Sequence, residues 1–151
     1  MATYREACDS AASFGLTYHL HPSIGALSAN ADGFLHFFYA VKRENLRFNL
    51  DTANQFVMKE ILSIALRRLA PFIDYIHLSD NRGSRVEHLK PGDGTIRWQT
   101  FFETLAGIGY NGFIGLDIGG DESGIDDLDE AYVSTAAWLE KNWFERSADS
   151  S

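Results

Sequence analysis

Four short strand-like runs recur along this chain, each finishing on a histidine or an aspartate, and this recurrence limits the folds open to it more than any other feature. The runs are GLTYHLH (15–21), LRFNLD (46–51), IDYIHLSD (73–80) and GYNGFIGLD (109–117). Side chains alternate across a strand, so residues two apart share a face. In LRFNLD, Leu46, Phe48 and Leu50 point one way, and Arg47, Asn49 and Asp51 the other. In YIHL, Ile76 and Leu78 oppose Tyr75 and His77. In FIGLD, Ile114 and Leu116 oppose Phe113, Gly115 and Asp117. In LTYHLH, Leu16, Tyr18 and Leu20 oppose Thr17, His19 and His21. Each strand thus has an aliphatic face for covering helices and a second face that carries a polar terminal residue.

The intervening segments have helical spacing. Residues 30–45 carry Phe34, Phe38 and Val41, with Asn30 or Asp32 as cap. In 58–69, Met58, Ile61, Leu62, Ala65 and Leu69 form one stripe, and Pro71 stops it. Trp98, Phe101, Phe102, Leu105 and Ile108 repeat the pattern, closed by Gly109. The last helix has Asp126 or Asp127 as cap and Leu128, Tyr132, Ala136 and Leu139 as its buried line. A shorter helix opens the chain at 3–15. The order is αβαβαβαβα, and alternation at this spacing indicates parallel strands with right-handed crossovers.

Two architectures accommodate four βα units in 151 residues. One is a small open sheet with helices on both faces. The other is half of an eight-stranded barrel, whose full length is about 250 residues. Thr17, Arg47, Asn49, Asp51 and His77 are too polar for a sheet covered on both sides and suit a barrel mouth. The half barrel is therefore the preferred reading, as one domain over 1–145 with a frayed polar tail at 146–151.

Several motifs then point to a family. HLSD (77–80), PGDGTIRWQTFF (91–102) and GYNGFIGLD (109–117) resemble the C-terminal half of the xylose isomerase-like sugar isomerase/epimerase barrels. There the pattern is His-x-x-Asp, Pro-Gly-x-Gly-x-Ile-x-Trp, then Gly-Tyr-x-Gly and a strand ending in Glu. LDTAN (50–54) is similar to the strand-six motif and LTYHLHPS to the strand-five motif, which usually reads aliphatic-Glu-Asn-His-Pro. The resemblance covers about Tyr4 to Trp143.

That resemblance implies one divalent ion held by residues from strands five to eight, with two Glu that also exchange the substrate proton. By position the ligands become His19, Asp51, His77 and Asp117. Asp51 and His77 match the motifs. His19 stands in place of the first Glu, Asp117 in place of the last, and Asn54 where many members carry a second His. A His/Asp/His/Asp set suits Mn²⁺, Zn²⁺, Fe²⁺ or Co²⁺, and Mg²⁺ stays among the candidates. Asp117 is the best remaining base, and His19 is either a ligand or the opposite acid/base. His21, Asn54, Asp80 and Arg82 are the candidate substrate contacts.

Plainer roles stand beside these. His19 suits a buried His on a backbone carbonyl, His21 a loop, Asp51 an N-cap and Asp117 a loop carboxylate. Asp80 and Arg82 suit a solvated loop, and His36 a structural place among helix aromatics. His88 resembles a second-metal ligand of the type-four apurinic endonucleases, but the Asp expected two residues earlier is Val86.

A formal charge of −8 repels a phosphate backbone and removes the usual electrostatic basis of nucleic-acid binding. There is no signal peptide and no apolar run of spanning length. The single Cys8 allows no internal disulfide, so a reducing cytoplasm is the default. The leading expectation is a metal-dependent isomerase or epimerase that abstracts a proton next to a carbonyl of a small sugar, polyol or keto-acid. The rival is a non-catalytic half-barrel subunit with a decayed site and a role in assembly. Either way a partner is expected: a second copy closing eight strands, or a separate N-terminal half.

Overall fold

All four runs form strands: β1 (Tyr18–Leu20), β2 (Leu46–Asp51), β3 (Tyr75–Leu78) and β4 (Phe113–Leu116). In the computed structural model, which describes residues 1–26 and 29–144, they make one parallel sheet in the order β1-β2-β3-β4. The expected tail at 146–151 lies outside the described residues. Register pairs His19 with Arg47, Asp51 with His77, and His77 with Gly115.

Among the described residues, six α-helices accompany the strands: α1 (Ala2–Ser13), α2 (Ala31–Val41), α3 (Thr52–Val57), α4 (Leu62–Leu69), α5 (Trp98–Gly107) and α6 (Leu128–Leu139). Their starts follow local chemistry. The side chain of Asn30 accepts from Gly33 N–H, that of Asp51 from Asn54 N–H, and that of Asp127 from Glu130 N–H. Each bond satisfies a first-turn donor that the helix cannot.

The aliphatic strand faces pack under the helices as parity requires. Leu46, Phe48, Leu50, Ile76 and Leu78 are completely buried with Phe34, Val41, Leu66, Leu69 and Leu105 in one core. Each such side chain contributes roughly 1.5–3 kcal/mol relative to exposure. The opposite face is open toward β4, where Phe113 is 75% exposed. Helices on one face, and a second face left uncovered, make this half of a barrel rather than an open sheet sandwiched between helices.

Two helical expectations need correction. The single stripe over 58–69 is broken: α3 ends at Val57 and α4 starts at Leu62, with Lys59 between them in the left-handed region at φ 67°. Asp51 caps a separate short helix directly after β2, and the chain must turn before α4 can return along the sheet. Met58 is therefore outside the helix, and Ile61 is largely exposed. In α6 the buried line is Ala131, Thr135 and Leu139, while Leu128, Tyr132 and Ala136 face outward. Tyr132 instead reaches back so that its hydroxyl donates to the Ile118 carbonyl, 3.1 Å away.

Candidate metal centre

The polar strand faces meet at the C-terminal edge of the sheet. Asp51 and His77 are register partners on neighbouring strands. Thr52 locks those two strand ends together: its hydroxyl donates to Ser79 O at 2.6 Å and accepts from Ser79 N–H at 3.0 Å. Asp117 follows β4, and its N–H donates to Leu78 O at 3.1 Å. Its Oδ2 lies 3.2 Å from His77 Nδ1. His21, just past β1, completes the group: its Nε2 is 3.0 Å from Asp51 Oδ2.

One donor atom from each of His21, Asp51, His77 and Asp117 lies within 4.8 Å of every other. Donors on one ion at 2.0–2.2 Å each are separated by at most about 4.4 Å, so closure by a few tenths of an ångström suffices. The group passes a second test. His77 Nδ1 is buried and has no hydrogen-bond partner, its approach to Asp117 being out of line. A buried, unsatisfied polar atom normally costs about 1–3 kcal/mol, and here it lies beside the Asp117 carboxylate. The donor set therefore fits one divalent cation.

His19, expected as a ligand and as an acid/base, is not in this group. Its Nε2 sits 2.5 Å from Asp74 Oδ1, low on the sheet's inner face. Register gives the reason. His19 pairs with Arg47, four residues before Asp51, and at ~3.3 Å per residue it lies roughly 13 Å down the strand. His21, two residues further up the same face, is the imidazole that arrives.

Asp51 does two jobs. Oδ1 accepts from Asn54 N–H at 2.7 Å as a helix cap, while Oδ2 accepts from Asn54 Nδ2 at 2.9 Å and faces His21. The cap and the ligand assignment are thus compatible. Asn54 is buried and orients Asp51 from behind. His21 gains protons more readily than a free imidazole, because Asp51 accepts its hydrogen bond, although burial opposes this. His77 beside Asp117 holds that carboxyl below the usual carboxylate range, against the effect of burial.

Asp80 and Arg82 sit elsewhere and act on the loop. Asp80 is completely buried. Its two oxygens accept from Asn81 N–H (2.8 Å), Gly92 N–H (2.8 Å), Ile96 N–H (3.1 Å) and Trp98 Nε1–H (2.8 Å). Four donors saturate it, so neither a solvated loop nor a substrate contact describes it. It binds the PGDGTIRW segment back onto β3. Gly94 is required there, because a Cβ would run into Asp80 and the Asn81 backbone. Arg82 spends its guanidinium and its N–H on the buried Glu87, both at 3.0 Å. It lines a separate cleft with Phe56, Lys59 and Phe101.

Two residues near the group were underrated or missed. His88 Nε2 is 4.0 Å from both Asp51 Oδ2 and Asp117 Oδ2, and its Nδ1 is 2.9 Å from Glu122 Oε1. That contact holds Glu122 below its ordinary range. Glu122 stands in an acidic loop with no motif to single it out. Position 86, where the motif expects the partner of His88, is Val86, and the partner comes instead from the loop after β4. His36 is exposed on α2, away from this edge.

The chain belongs to the xylose isomerase-like TIM barrel family, whose model matches residues 1–142. It is 29% identical over 127 residues to an uncharacterized protein of Methanocaldococcus jannaschii (MJ1311), covering 77% of this chain and 41% of that one. Its structure is similar to D-allulose 3-epimerase from Methylomonas sp., with a TM-score of 0.83 and 17% identity, over 93% of this chain and 54% of the other. It is also similar to 3-keto-D-glucoside 4-epimerase from E. coli, with a TM-score of 0.78 and 20% identity, over 93% and 51%. The chain spans about half the length of these proteins. At such identities the likeness establishes the fold, which is that of half a barrel. Among the described residues, no helix is long and apolar enough to cross a membrane.

Proposed function

We propose that this chain supplies the metal-binding half of a sugar isomerase or epimerase, with His21, Asp51, His77 and Asp117 as ligands. The observation that carries the reading is the convergence of these four residues, among which His77 has an orphaned buried Nδ1. Family membership and sugar-epimerase neighbours support the substrate class. The proposal departs from the ligand set expected by position in one residue, His21 for His19.

Asp117 is the base. His77 holds the Asp117 carboxyl below the usual carboxylate range, so it is an ionised acceptor for a proton, though a weaker base than an unpaired carboxylate. A divalent ion in the group would polarise the substrate oxygen and acidify the neighbouring C–H, which compensates for that weakness. Asn54 and Thr52 hold the strand ends in place during this transfer. The formal charge of −8 suits a neutral sugar or polyol and disfavours a nucleic acid.

Two measurements test the reading. Elemental analysis should find about one divalent ion per chain. Asp117→Asn, nearly isosteric and unable to accept the proton, should abolish deuterium exchange into a ketose in heavy water. Exchange unaffected by that change would remove Asp117 as base.

The open sheet face and the free edges of β1 and β4 support a covering partner. Unpaired strand edges recruit further strands, and Phe113 lies exposed beside one of them. A second copy closing eight strands, or a separate chain carrying the first four, meets this need. Light scattering that showed a stable monomer at micromolar concentration would sink the closure model.

A further inference from the structure

We infer that His88 is a fifth protein ligand of the same ion, brought in by the loop after β3 and oriented by Glu122. The inference rests on the four-residue centre proposed above. Its Nε2 stands 4.0 Å from one oxygen of Asp51 and 4.0 Å from one oxygen of Asp117. Those two separations fall inside the span of about 4.4 Å that two donors on one ion can have; His88 lies outside the tighter group of four, so its ring must move toward the two imidazoles on binding. The other ring nitrogen, Nδ1, is 2.9 Å from Glu122 Oε1. A carboxylate on Nδ1 fixes the tautomer with its proton there and leaves the Nε2 lone pair facing the two Asp. This is the arrangement that orients metal-binding histidines.

His88 is also held in place by the backbone. The next residue, Leu89, forms a two-bond bridge with Asp80, N–H to O in each direction at 2.8 and 3.1 Å. The His88 carbonyl accepts from Gly119 N–H at 3.0 Å, which ties it to the loop that carries Glu122. The saturated carboxylate of Asp80 therefore has an indirect purpose: it fixes the stretch that presents His88. A purely electrostatic bridge, with His88 neutralising three carboxylates, uses the same distances but does not need an imidazole lone pair.

The test uses the full chain stripped of metal and titrated with Co²⁺ against a chromophoric chelator, with the visible spectrum recorded. His88→Ala should weaken Co²⁺ about a hundredfold and shift the spectrum toward the stronger absorption of a four-coordinate ion. Glu122→Gln should weaken it about tenfold with the spectrum kept, as expected of an orienting partner. Should His88→Ala melt early, His88→Gln preserves bulk without an imidazole and carries the same expectation. If His88→Ala and His88→Gln bind Co²⁺ as tightly as the wild type with an unchanged spectrum, while His77→Ala does not bind, His88 is no ligand and the four-residue centre stands. If the wild type itself takes up no Co²⁺, the centre and its fifth ligand fall together.

Discussion

Two carboxylates at the ends of neighbouring strands have opposite fates. Asp80, after β3, is completely buried and accepts four N–H donors. Asp117, after β4, is part-exposed and faces histidines whose own bonding is incomplete. In sequence both are an aspartate closing an apolar run. What separates them is the supply of backbone donors: a returning loop saturates Asp80, while an outward glycine-rich loop leaves Asp117 free. A saturated carboxylate organises structure; an unsaturated one among imidazoles keeps the capacity to bind a cation or move a proton.

The largest expected effect tests that contrast directly. Asp80→Ala leaves four donors without an acceptor, and the three on buried residues, Asn81, Ile96 and Trp98, are worth about 1–3 kcal/mol each. Unfolding in urea should show a loss on the order of 4 kcal/mol or more, against under about 1 kcal/mol for Asp117→Ala. Equal losses would erase the distinction. Next, His77→Ala should lower divalent-metal affinity by more than about a hundredfold, beyond the 10–100-fold of an orienting residue. Calorimetric melting of the metal-free protein should change little, because the orphaned nitrogen leaves with the ring.

Gly94→Ala forces a methyl group against Asp80 and should cost about 1–3 kcal/mol. A thermal melt unchanged from the wild type would mean that the loop has slack. The smallest effect is a pH trend at His21. Its folded-state pKa is raised, so in the metal-free protein its contribution to stability is present below the unfolded value. That contribution is lost as pH rises through the folded value. Metal binding needs the neutral ring, so affinity should run the other way, rising by up to about tenfold per unit across that window. Affinity flat from pH 6 to 8 would leave His21 outside the centre.

Strand existence and facing were legible because alternation is a one-dimensional signal; the parity of LRFNLD and YIHL alone places Asp51 and His77 on the site face. The choice between His19 and His21 was not, since both share that face. Only pairing between strands sets their heights, and register is absent from a single strand's pattern. The break at Lys59 and the rotated face of α6 escaped notice for a related reason. A stripe of apolar residues shows that a helix can bury a side, and the neighbours decide which side. Asp80 read as a loop residue because its four donors arrive from as far away as Trp98. His88 and Glu122 meet across 34 residues without any local motif.

The pairing of Asp51 with His77 and of Leu50 with Ile76 has one more consequence. In a strand, a slip by one residue turns every side chain to the opposite face. A shift in β2 would therefore carry Asp51 away from the site and, in the same motion, push Leu50 and Phe48 out of the core. No folded variant can keep the hydrophobic layer intact while misplacing these donors by one step. Accuracy of the chemistry is thus inherited from accuracy of folding, and copying errors that shift the strand are removed as unfolded protein before they can persist as a faulty catalyst.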